Sequence, residues 1–262
     1  MHKLILLGTG SSSGVPSLKC LLSGGCKVCN SKNIKNQRTN TSMLIKHTGD
    51  DILIDCGKDF TAQYEKYIRK YNIRFTPHYV IITHPHSDAI LGLSVLKQHL
   101  NTQTKLLSDK QTLKCINETF NDIFEKESNK TDIIYSFIPE TIIPNIPITI
   151  NDLIIEPFYV HHGSILCLGF KINNKITYIS DCNSFEECEE YFNNLDLLII
   201  DCNTIESEVK GHLNFQNIKN IVCKYKPKRT ILTGQSHLMD YNKFQSNYGI
   251  EMGYDFMEIN FN

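Results

Sequence analysis

The chain has 262 residues, of which 41% are hydrophobic and 21% charged, and its formal net charge is -1. That balance suits a globular protein with a sizeable core and excludes the basic field of a dedicated nucleic-acid module. No run approaches the ~20 apolar residues of a membrane span. The apolar opening at residues 4–7 stops at Gly8, too early for an export signal, so a soluble cytoplasmic protein is expected.

In chain order, apolar patterning predicts a strand at 3–7, strands at 42–46 and 52–55, a helix at 60–70, a strand at 79–83 and a helix at 89–99. A strand at 105–107 and a helix at 109–118 follow, then strands at 153–160, 168–172 and 176–180 and a helix at 185–192. The last elements are a strand at 197–201, a helix at 215–225, a strand at 230–233 and a helix at 241–247. Residues 125–131 read as a polar surface loop and 139–147 as a proline-punctuated connection. This mixture predicts an α/β fold of two packed sheets with helices outside. No linker divides the chain and no sequence repeat is visible, so residues 1–262 are expected to form one domain.

Several predicted strands end in polar clusters: Asp55-Cys56-Gly57, then the stretch 84–88, His161-His162-Gly163, Ser180-Asp181, Asp201-Cys202-Asn203, and the stretch 234–237. Polar ends on many strands imply one site assembled at a sheet rim. The densest cluster is Thr83-His84-Pro85-His86-Ser87-Asp88, an H-x-H-x-D arrangement. Neutral imidazole and carboxylate are the usual protein donors for zinc and similar divalent ions. Ten cysteines without an export signal read as buried thiols or metal ligands rather than disulfides. Cys20, Cys26 and Cys29 stand apart within a loop at about 16–30. The C-x-x-C step and Gly24-Gly25 suit thiolates converging on one structural zinc.

The opening Leu7-Gly8-Thr9-Gly10-Ser11-Ser12-Ser13-Gly14-Val15-Pro16, with Leu53-Ile54-Asp55-Cys56-Gly57, His84-x-His86-x-Asp88, His162-Gly163, Ser180-Asp181 and Ser236-His237, resembles the metallo-β-lactamase superfamily of metal-dependent hydrolases. Within it, the glycine-rich opening followed by close-spaced cysteines is similar to the branch containing the phosphoribosyl cyclic phosphodiesterase of phosphonate breakdown, itself related to ribonuclease Z. The resemblance implies a four-layer αβ/βα sandwich. It also implies His84, His86 and His162 on one catalytic ion, Asp88 and His237 on a second, and Asp181 bridging both. His161 competes with His162; Gly163, which follows His162, favours the latter. His212 falls at the family's auxiliary histidine, expected to stabilise charge or protonate the leaving oxygen. Asp240, three residues after His237, is expected to complete the cysteine site. Two catalytic zinc ions and one structural zinc are thus implied.

Ala89 departs from the family pattern, which has a second-ion histidine there. The second ion is therefore expected to bind more weakly, or to be a metal other than zinc such as manganese. The implied activity is hydrolysis of a small cyclic or nucleotide-type phosphodiester by a metal-bound hydroxide. Asp88, Asp181 and His212 carry the chemistry, with no membrane partner and a homodimer admitted by the relatives. Rival readings are ribonuclease Z-like RNA processing, thioester hydrolysis and a non-catalytic metal-stabilised binding protein. The candidate insertion at 119–147 is short and not basic, which disfavours a tRNA-gripping arm.

Overall fold

Apolar runs of four or five residues are too short for buried helices, and they become strands covered on both faces. The protein's structure, a computed structural model, describes residues 2–47, 49–100, 103–124, 136–244 and 249–261. It contains two seven-stranded sheets, each within its own compact unit. The first unit comprises Met1–Gly8, Asn40–Ile142 and Phe256–Asn262; the second comprises Thr9–Thr39 and Ile143–Asp255.

The first unit holds β1 (His2–Gly8), β2 (Ser42–Lys46), β3 (Asp51–Ile54), β4 (Tyr79–Ile81), β5 (Thr104–Ser108), β6 (Phe137–Thr141) and the last strand of the chain, β14 (Met257–Phe261). The sheet runs β14-β1-β2-β3-β4-β5-β6, antiparallel from β14 to β3 and parallel from β3 to β6. Its core gathers Leu53, Val80, Ile82 and Leu106 from the strands against Phe60 and Tyr67 of a long helix. The second unit holds β7 (Ile148–Ile150), β8 (Leu153–His162), β9 (Ile165–Ile172), β10 (Ile176–Ile179), β11 (Leu197–Asp201), β12 (Thr230–Thr233) and β13 (Ile250–Met252). It repeats the same succession of pairings, antiparallel from β7 to β10 and parallel from β10 to β13. Its core includes Phe158, Ile179, Leu198, Ile200, Leu232 and Phe192.

The helices are α1 (Leu18–Leu22), α2 (Phe60–Tyr71), α3 (Ser87–Ile90), α4 (Leu93–Lys97), α5 (Lys110–Thr119) and α6 (Phe215–Tyr225). Asp109 caps α5 by accepting from Thr112 N, and Asn214 opens α6 with a reciprocal capping box to Asn217. The single helix expected at 89–99 is two, α3 and α4. The Gly92 N–H is drawn to Cys56 O at 2.8 Å instead of the carbonyl four residues back. The helix expected at 185–192 is reduced to a 3-10 turn at Glu189–Phe192, because Glu187 takes a left-handed conformation at φ 72°. Of the helix expected at 241–247, residues 241–243 form a turn, and 245–247, like the expected loop at 125–131, lie outside the described residues. Part of the expected connection at 139–147 is strand: Pro139 sits within β6, at a sheet edge where a missing N–H breaks no ladder.

Candidate active site

In open sheets with parallel strands, ligand-binding groups collect beyond the carboxyl ends of those strands. The first unit follows this rule. Asp55 immediately follows β3 in a left-handed conformation at φ 60°, and its buried carboxylate accepts from Thr83 N at 2.9 Å and from Thr83 Oγ1 at 2.9 and 3.1 Å. The hydroxyl has one proton. With that proton given to Asp55, Oγ1 accepts from His84 Nδ1 at 2.8 Å, which makes Nε2 the lone-pair nitrogen of His84. His84 is 1% exposed and His86 is exposed, their ring centroids 4.7 Å apart at 85°. Asp88 lies in α3, pressed against Gly57: a Cβ there would fall 1.9 Å from Asp88 O. Ala89 is buried and offers no donor atom.

In the second unit, β8 ends at His162. His161 faces outward, whereas His162 is buried and donates from Nδ1 to Gly211 O at 2.7 Å. That bond fixes the tautomer and aims Nε2 toward Asp181, whose Oδ2 is 3.9 Å away. Asp181 follows β10, and Asp201 closes β11. Asp201 is fully buried, and its Oδ2 accepts from His212 Nδ1 at 2.9 Å and from Cys182 N and Leu213 N at 3.3 Å. The same His212 nitrogen lies 3.8 Å from Asp181 Oδ1. Burial, reinforced by the charge of Asp201, pushes the Asp181 carboxyl up to about 6. Burial also raises Asp201. Two carboxylates this close in a dry setting demand a positive partner, which an imidazolium or a metal ion supplies.

A second cluster also lies wholly in the second unit. One ligand atom each from Cys20, Cys26, Cys29 and His237 falls within 4.8 Å of all the others. Backbone N–H groups of Cys26, Cys29 and Ser17 point at Cys20 Sγ, Cys26 Sγ and Cys29 Sγ at 3.2, 3.4 and 3.4 Å, while burial pushes the Cys29 thiol up to about 11. Burial raises the Cys26 thiol, but hydrogen bonds from the Cys29 backbone, His237 and Cys20 outweigh it and bring the group down to about 6. Arg38, buried, holds the 236–239 strap through Ser236 O at 3.1 Å and Met239 O at 2.8 Å.

This geometry corrects the expected division of ligands. His237, assigned above to a catalytic ion, places Nδ1 3.5 Å from Cys26 Sγ. Asp240, assigned to the cysteines, instead accepts from Asn36 Nδ2 and Asn242 N, both at 3.0 Å, and so caps a turn. Asp55 and Asp201 were visible in the sequence only as polar residues at strand ends. Their contribution, fixing the rings of His84 and His212, requires the fold.

A family model described as a beta-lactamase superfamily domain matches residues 50–234. The chain belongs to that superfamily. Its α/β architecture, two mixed sheets flanked by helices, is shared with solved members of the metallo-β-lactamase fold. A diphosphatase of the PhnP family matches with a TM-score of 0.85 at 23% identity, over 100% of this chain and 98% of that one. Zn2+-bound PqqB from Methylobacterium extorquens gives 0.78 at 16% identity over the whole of both chains. Human short-form tRNase Z gives 0.70 at 18% over 98% of each. At these identities the likeness establishes the fold. A protein of Porphyromonas gingivalis named octanoyltransferase is 27% identical over 238 residues; the match spans 90% of this chain but 46% of that protein, so the chain is about half its length.

Superfamily members depend on divalent metal ions, and each unit of this chain holds an imidazole prepared as a donor. His84 and His162 are each held at Nδ1 by an oxygen, the outer-shell arrangement that readies Nε2 for a metal.

Proposed function

We propose that this chain is a metal-dependent hydrolase of small phosphodiesters, with His84, His86, His162 and Asp181 as its candidate catalytic metal ligands. The observation that carries this reading is the buried Asp181–His212–Asp201 group beside His162. It pairs a metal-binding carboxylate with an imidazole backed by a second carboxylate, the equipment of a hydrolase rather than of a passive fold. A bound divalent ion supplies Lewis acidity and acidifies a water. His212, kept in place by Asp201, delivers a proton to the departing alkoxide. A separate zinc held by Cys20, Cys26, Cys29 and His237 is structural, since four protein donors leave no open position. No cysteine is joined in a disulfide among the described residues, which fits a reducing compartment such as the cytoplasm.

The test is hydrolysis of bis(p-nitrophenyl) phosphate by purified protein with zinc or manganese, beside Asp181→Ala. Turnover abolished by the substitution supports the reading and justifies a series of ribose cyclic phosphates and dinucleotides. Folded, metal-loaded protein inactive on the whole series, yet cleaving a tRNA precursor or an acyl thioester, would replace the substrate class. Inactivity on all of them would favour a binding protein.

A further inference from the structure

Within the first unit, residues of α2, of α4 and of the turn after α2 enclose a cavity of about 430 Å³, and none of the candidate metal ligands lines it. We propose that this cavity binds a small aromatic carboxylate, with its ring against Phe60, Tyr64 and Phe75 and its carboxylate on Arg74. The proposal stands independently of the hydrolase reading.

The chain builds the cavity by turning back on its own helix. Asn72 ends α2 in a left-handed conformation at φ 53°, its N–H donating to Ile68 O at 2.8 Å. Tyr64 Oη then donates to Phe75 O at 2.8 Å, which seats Phe75 beside the Tyr64 ring with centroids 4.9 Å apart at 51°. Phe60, one turn earlier in α2, places its ring 5.9 Å from that of Tyr64 at 44°. Phe60, Phe75 and Leu96 are buried and form the apolar floor. Tilted rings at these separations present faces and edges that accept a further aromatic ring. The volume and the small number of polar groups are those of a small-ligand pocket. Arg74, His99 and Thr61 are exposed and stand at the mouth, and neither a carboxylate nor a lysine lines it. The other three arginines, Arg38, Arg69 and Arg229, each engage an oxygen of the protein. Arg74 has no hydrogen bond or ion pair among the described residues. Its guanidinium fork matches a carboxylate bidentately. One permanent positive charge suits a monoanion better than a phosphate dianion.

The test is isothermal titration of the full, zinc-loaded chain with naphthoate, beside neutral naphthamide and aliphatic octanoate. Saturable one-to-one binding of naphthoate is expected. Loss of a charge-assisted fork weakens binding by about 10- to 100-fold. That factor is expected for naphthoate with Arg74→Gln and for naphthamide with wild type. Val95→Trp fills the cavity from a position that is 38% exposed and should abolish binding. Circular dichroism on each variant separates a lost site from a lost fold, and the naphthamide comparison needs no variant. A carboxylate also ligates metal ions, so His84→Ala serves as the control, and binding there should be retained. Four outcomes would each overturn the site: no saturable binding at millimolar naphthoate, equal affinity for naphthoate and naphthamide, affinity unchanged by Arg74→Gln, or binding lost in His84→Ala but kept in Val95→Trp. Octanoate binding as tightly as naphthoate would overturn the aromatic assignment. The hydrolase reading is decided separately, by turnover and its loss in Asp181→Ala.

Discussion

At the scale of single residues, the most consequential bond is the 2.9 Å contact of His212 Nδ1 with Asp201 Oδ2. It fixes the orientation of the ring. Loss of a positioned general acid costs typically 10²–10⁴-fold in rate, so His212→Asn should lower kcat by about that factor with little change in KM. A variant within about twofold of wild type would remove the role. Thr83 acts at one remove, relaying Asp55 to His84. Thr83→Val deletes the hydroxyl that orients the ring, and metal affinity should fall about 10- to 100-fold, as measured by competition with a chromophoric chelator. Unchanged affinity would show that packing alone holds the imidazole. These relays explain what the sequence concealed. H-x-H-x-D was legible because its donors are adjacent in the chain. The second unit's donors were named singly, His162 through the glycine after it. By contrast, His237 and Asp240 are three residues apart in one turn, and spacing could not say which faced the thiols; only the strap held by Arg38 decides it.

At the scale of elements, the strands left unread were β6, β7, β13 and β14, and these are the four edges of the two sheets. Central strands such as β3, β10, β11 and β12 are buried at every position and announce themselves as apolar runs. Edges are short, half-exposed and tolerant of proline, so their pattern fades into that of loops. The start of α6 is fixed by Asn214, whose side chain accepts from Asn217 N. The edge strand β14 is secured by charge: Glu258 accepts from Lys3 Nζ at 2.8 Å and Tyr71 Oη at 2.7 Å, and Lys70 Nζ lies 2.8 Å away. Hydrogen bonds from Lys3, Lys70 and Tyr71 bring its carboxyl down to about 2, below the ordinary 4.5. A depressed carboxyl contributes stability that is complete above its unfolded pKa and lost as pH falls through the folded one. Wild type should therefore lose thermal stability more steeply than Glu258→Gln as pH falls from 4.5 toward 2. The carboxylate is partly exposed, so its contribution is at most about 1 kcal/mol, or no more than about 4 °C in midpoint. Parallel slopes for the two proteins would assign the clamp no energetic weight.

At the scale of the whole molecule, the chain leaves each unit and returns to it: the second unit draws Thr9–Thr39 from far upstream of Ile143–Asp255. Nothing in local patterning marks such an exchange, which is why the sequence reads as one domain. Within that unit three devices bind the early segment to the late one. Asp255 accepts from the backbone N–H of Thr9 at 3.0 Å and of Thr39 at 2.8 Å; Arg38 grips the strap; and the thiol cluster joins residues 211 apart, Cys26 and His237. A cross-link closing so long a loop removes much freedom from the unfolded chain. It also leaves the sheets intact when broken, because no strand passes through residues 9–39. A ligand present at about 1,000 times its dissociation constant stabilises by about 4 kcal/mol, and a domain of this size shifts by about 2–4 °C per kcal/mol. Cys26→Ser should therefore lower the melting midpoint by about 10 °C. Hydrogen exchange followed by mass spectrometry should localise the change, with faster exchange at residues 15–31 and at 236–239 and protection retained in β10, β11 and β12. Exchange that quickens equally in those strands would mean that the thiol-bound metal supports the entire second unit rather than fastening one segment to it.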